Sequence, residues 1–125
     1  MTWTCSILVP LLAATITGAQ AATFTVDTTT DGVDAVPGDG VCATAAGACS
    51  LRAAVQEANA LEGPDTIDLP AGTYVLTLAG PAEDESASGD LDVHETLTIT
   101  GAGAATTVID GNRASGVIEA AEPGP

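Results

Sequence analysis

From residue 65 onward the chain is a succession of short threonine- and isoleucine-rich runs broken by glycine bends, and this grammar limits its folds more than any other feature. Asp65-Thr-Ile-Asp-Leu69 reads as an alternating run, and Thr73-Tyr-Val-Leu-Thr-Leu78 runs on as another strand beyond the Pro70-Ala-Gly72 turn. Thr96 to Thr100, Thr106 to Asp110 and Gly116 to Glu119 follow, spaced by Gly101-Ala-Gly103 and Gly111-Asn112. β-Branched residues at period two fit a pleated surface buried on one face, so these runs read as strands. No Asn-Gly or Asp-Gly stands as a two-residue link between long alternating runs, so tight hairpins are not the obvious connection. Two architectures answer the pattern: a solenoid of stacked parallel strands, or a small antiparallel sandwich.

One stretch breaks the pattern. Cys49-Ser-Leu-Arg-Ala-Ala-Val-Gln-Glu-Ala-Asn-Ala60 holds four alanines with Leu, Arg, Gln and Glu, all strong helix formers. Ser50 is placed as the N-cap, and Gly63-Pro64 ends the run. Leu51, Val55, Ala58 and Leu61 fall at i, i+4, i+7 spacing and form one apolar stripe. Arg52, Gln56, Glu57 and Asn59 lie off that stripe and are expected on the outer surface of the helix. Ahead of it, Phe24-Thr-Val-Asp-Thr28 reads as a first strand, and Asp31 to Gly40 as an acidic, turn-rich approach.

Residues 1–21 read as a secretory signal. The apolar run Ile7 to Ile16 is too short to cross a bilayer, which takes roughly 18 or more apolar residues, and Ala19-Gln20-Ala21 is a small-x-small cleavage pattern. The segment lacks the usual basic start, and Cys5 precedes the apolar run where a lipoprotein cysteine would follow it. The mature chain is then expected outside the cytoplasm, secreted or at the cell surface, with no membrane partner of its own. All 17 acidic residues lie beyond Ala21, against Arg52, Arg113 and no lysine, for a net charge of −15. That charge repels nucleic-acid phosphates and anionic lipid and attracts cations. Cleavage also leaves Cys42 and Cys49 as an even pair closing a short loop, and a disulfide is the default for such a pair in a secreted chain. A zinc site would need two more ligands, and His94 is the only histidine.

The run Cys49 to Ala60 resembles the signature of the CSLREA domain, found at the N-terminus of secreted bacterial right-handed parallel β-helix proteins. The resemblance extends to the Phe24-Thr-Val entry, Pro37-Gly-Asp-Gly-Val-Cys42, Asp65 to Tyr74, Ser88 to Asp92, Leu97 to Gly103 and Val108-Ile-Asp-Gly111. Ala53 departs from it, standing where the signature has glutamate, and relatives of this kind continue through many further coils. The resemblance implies a mainly β fold: a right-handed parallel β-helix of about three coils over residues 22–120, with one N-terminal capping α-helix and a tail at 121–125. It implies that Leu51, Val55 and Ala58, started by Ser50 and pinned by Cys42–Cys49, cover the first coil. The opposite end is expected to be open, inviting self-association, and the chain reads as a truncated product.

The sharpest chemical motif is Asp84 to Glu95. Asp84, Ser86, Ser88, Asp90, Asp92 and Glu95 occupy the ligand positions of an EF-hand calcium loop, with Gly89 at its sixth place. Its flanks are strand-like where helices belong, and acidic loops are commonly just solvated, so calcium is the minor reading and no cofactor the major one. Arg52 is expected to pair with carboxylates at the cap, and Arg113 sits in a turn. No Gly-x-Ser-x-Gly is present, no carboxylate pair stands out, and Phe24 and Tyr74 are the only aromatics beyond the signal. No catalytic residue is assigned. The function expected is a non-catalytic N-terminal cap and leader of a secreted or surface β-helix protein. The alternative is a pectate lyase-like enzyme acting on polysaccharide.

Overall fold

The computed structural model describes residues 20–80, 85–113 and 116–120. Nearly all of the expected signal, the 121–125 tail and Asp84 lie outside them. Seven strands and one helix follow in the order β1 (Thr23–Thr25), α1 (Leu51–Ala60), β2 (Asp65–Leu69), β3 (Gly72–Val75), β4 (Leu91–Val93), β5 (Leu97–Gly101), β6 (Thr107–Asp110) and β7 (Ile118–Ala120). The protein is mainly β with a single helix among the described residues.

Among the described residues the named strands all pair parallel, and one isolated bridge, Asp34 with Thr44, is antiparallel. The sheets are β1-β2-β5, β3-β6 and β4-β7, so the chain visits three sheets in the same order twice. Register aligns like with like: Phe24 with Ile67 and Ile67 with Ile99, Tyr74 with Ile109, and Leu91 with Ile118. Parallel strands lie roughly 4.8 Å apart, so matched apolar residues stack into columns. In β2, Asp65, Ile67 and Leu69 point inward and Thr66 and Asp68 less so, as period two requires. The amides of β2 serve both neighbours, Thr66 donating to Ala22 O and Asp65 to Thr96 O.

Helix α1 begins where Ser50 Oγ accepts from the Ala53 amide at 3.0 Å, and the same hydroxyl donates to Gly32 O. Leu51, Val55 and Ala58 are buried in one cluster with Phe24, Ile67, Leu69, Tyr74, Leu76 and Leu91, and α1 packs against β2 and β4. At about 25 cal/mol per Å², burying these helix side chains contributes a few kcal/mol.

Three expectations change. The face carrying Arg52, Gln56 and Glu57 is as buried as the apolar stripe, and Asn59 is half-buried, so none of them forms an outer surface. Segment 77–78 is not strand either, because the amides of Thr77 and Leu78 turn to the Asp31 carboxylate at 2.8 and 3.0 Å. Residues 91–93, expected within an acidic loop, form β4 instead.

Candidate functional site

The polar face of α1 is the most organised group of charged side chains in the described residues. Arg52 is fully buried, and its guanidinium spends its donors on two segments, the loop at Asp31 and the 86–90 loop. Its Nε reaches Asp31 Oδ1 at 2.8 Å and one terminal nitrogen reaches Oδ2 at 3.1 Å, a bidentate pair whose Asp31 side chain is 2% exposed. The remaining N–H groups donate to Ser86 O at 2.9 Å, Gly89 O at 2.7 Å and, more weakly, Asp90 O at 3.4 Å. Since Asp31 also accepts from Thr77 and Leu78, one ion pair ties together the loop before the helix, the end of the third run and the 86–90 loop.

Its neighbours do the same work. Glu57 accepts from the amides of Gly38, at 2.7 Å, and Gly40, two residues at φ +96° and +84° in a tight bend. Gln56 accepts from Asp34 N at 2.8 Å and donates to Glu85 O at 3.3 Å. Asn59 donates to Asp92 O at 2.7 Å and accepts from His94 N at 2.9 Å. Gln56 and Glu57 thus answer main-chain groups of the loop before the helix, which has no strand ladder of its own, and Asn59 answers those at β4 and just after it. Cys42 and Cys49 are disulfide-bonded with Cα atoms 5.0 Å apart, closing the same loop onto the start of the helix.

The expected calcium ligands fare unevenly. Ser86 is buried at φ +56°, and its hydroxyl donates to Asp92 O at 3.0 Å while accepting from Asp92 N at 2.7 Å. Asp90 and Asp92 bring carboxylate oxygens within 4.8 Å of one another and of Glu119 in β7, a residue outside the motif, and Glu95 is exposed elsewhere. Ser88 stands against Gly80, where a Cβ would meet its hydroxyl at 2.2 Å. A second acidic group, Asp34, Asp39 and Glu57, accepts from the amides of Val36, Ala43, Val41, Gly38 and Gly40, so its charge is answered by backbone N–H groups.

His94 is exposed in the link between β4 and β5, at the rim of a cavity of about 550 Å³ shared with Gln56, Asn59 and Glu85. Arg113 is exposed in a turn at φ +63°. Tyr74 is buried with its hydroxyl donating to Pro70 O at 2.7 Å, and burial pushes its pKa up from 10.0. Sequence reasoning missed Asp31, Asp34 and Glu119. A signal for Asp31 existed, since one arginine near a helix start in a chain of 17 acids must meet a carboxylate. No family model, curated protein or solved structure matches the chain.

Proposed function

We propose that this chain is the structural N-terminal cap and leader of a secreted or cell-surface right-handed parallel β-helix protein of the CSLREA type, with no catalytic centre of its own. The observation that carries the reading is the gradient of burial between the two passes through the sheets. In the first pass, under α1, Ile67, Leu69, Tyr74 and Leu91 are at most 4% exposed. In the second pass their stacked counterparts Ile99 and Ile109 are only partly buried, Ile118 is 44% exposed, and β6 also leaves Val108 45% exposed. One end of the stack is thus covered by a helix pinned by a disulfide and a buried ion pair. The other presents strand edges at β5, β6 and β7, and a cavity of about 370 Å³ that Leu69, Ile99 and Ile109 help to line. Unpaired edges over an apolar floor accept another coil of the same kind, in the same chain or in a second copy.

The polar face of α1 supports a cap over an enzyme, because its charged groups are committed to holding loops. The net charge of −15 keeps open ends of separate copies apart, and salt weakens that repulsion. Sedimentation velocity of the purified protein therefore gives a monomer at low salt and concentration-dependent association at high salt, which Ile99→Lys with Ile109→Lys abolishes. Hydrogen exchange gives slow amides in β2 and fast ones in β7. Uniform protection with no association would refute the cap, and release of unsaturated products from polygalacturonate with calcium would replace it with a lyase.

A further inference from the structure

The start of the folded region holds a polar group that the rest of the molecule leaves half answered. Asp65 opens β2 and is 2% exposed. Its Oδ1 accepts from the Ala22 amide at 2.8 Å, while its Oδ2 is buried with no partner. Ala22 is held in place from the other side, its carbonyl accepting from Thr66 N at 2.9 Å, and it packs against the core two residues before buried Phe24. The two residues ahead of it, Gln20 and Ala21, are exposed and outside any strand.

Within a continuous chain the Ala22 nitrogen carries one N–H and no charge, enough for one carboxylate oxygen. A buried carboxylate with an unanswered oxygen is costly, and a cation supplying several donors at the same nitrogen removes that cost. We infer that Asp65 is a receptor for the α-ammonium group of Ala22, created by cleavage of the Ala21–Ala22 bond. The step is a hydrolysis: water adds across the amide, the Ala21 carbonyl leaves as a carboxylate on the leader, and the Ala22 nitrogen takes up a proton. The resulting ammonium offers three N–H donors and a full positive charge where the amide offered one N–H. Processing thereby completes the first strand, and the folded state favours a chain trimmed at this bond over one trimmed a residue earlier or later. The inference rests on the secretory-signal reading of residues 1–21.

The test separates the two. The full chain is expressed in a secreting host, and the N-terminal residue of the exported protein is read by mass spectrometry. The rate of labelling by an aldehyde reagent specific for α-amines is then measured in the folded and urea-unfolded protein. The expected result is a chain beginning at Ala22 whose amine labels at least tenfold more slowly when folded. Asp65→Asn is expected to restore fast labelling. A variant in which one extra alanine is left ahead of Ala22 also labels fast, which covers the case that Asp65→Asn does not fold. A start at another residue overturns both the signal reading and the receptor. A start at Ala22 with an amine that labels as fast folded as unfolded overturns the receptor alone.

Discussion

Arg52 and Asp31 meet at 2.8 Å with side chains 0% and 2% exposed, so the only cation in the helix is sealed inside the fold with its counter-charge. Such a pair is weak evidence for stability when compared with an apolar replacement, but removing one partner strands the other in a dry site. Arg52→Ala leaves Asp31 Oδ1 and the carbonyls of Ser86 and Gly89 without their Arg52 donor, and the Asp31 charge without its counter-charge. The expected cost is about 3–5 kcal/mol in urea unfolding. Arg52→Lys keeps the charge and loses the fork, so it falls between.

Glu57 holds a different loop by charge-assisted hydrogen bonds to Gly38 and Gly40. Glu57→Ala is expected to cost about 1.5–3 kcal/mol per bond lost to a charged acceptor, less what water recovers at the exposed bend. Hydrogen exchange provides the check. The amides of Gly38 and Gly40 quicken first in this variant, while those of β2 hold until global unfolding.

Reducing Cys42–Cys49 opens a loop of sequence separation 7. The loop-entropy model assigns a ring of this size about 2–3 kcal/mol. Thermal melts with and without reductant are expected to differ accordingly, and a melt indifferent to reductant would show that the ion pair and Glu57 hold the helix start unaided.

Tyr74 supplies a pH dependence. Burial raises its pKa above 10.0, so the folded state keeps its phenolic proton after the unfolded state has lost it. The unfolded chain then binds fewer protons, and stability falls as pH rises. The contribution is fully present below pH 10 and is lost as pH climbs from there through the raised value. As the only tyrosine, Tyr74 is read without interference by phenolate absorbance. Tyr74→Phe removes this alkaline step and the bond to Pro70 O, at a cost of about 1 kcal/mol near neutral pH.

Calcium titration tests the acidic loop. With the Ser86 hydroxyl committed to the main chain of Asp92, the ligand set written in the motif is broken up. Calorimetry is expected to give no binding tighter than about millimolar, the weak end of the range for calcium modules. A tighter signal removed by Asp90→Asn and Glu119→Gln would place a cation at the carboxylate cluster instead.

The local elements were legible because their causes are local. Ser50, the alanines and Gly63-Pro64 specify a helix wherever it is placed, and alternation marks β2, β5 and β6. β4 was not legible: Leu91-Asp-Val93 is three residues long, sits inside a calcium-like spacing, and becomes a strand only because β7 pairs with it from 27 positions away. The polar side chains of α1 were misplaced for a related reason. Helical periodicity sorts residues by polarity, but burial depends on what lies opposite, and here the opposite surface is loop backbone needing donors and acceptors.

The amino-acid sequence by itself determined the helix and its cap, most of the strands, the cysteine pair and the acidic charge, all set by neighbours within a few residues. Tertiary structure alone decided that the described strands pair parallel, that Arg52 and Glu57 face inward, and that Asp90 and Asp92 meet Glu119. Those outcomes rest on contacts between segments distant in the chain, where the free energy of satisfying buried backbone groups outweighs the preference of any single side chain for water.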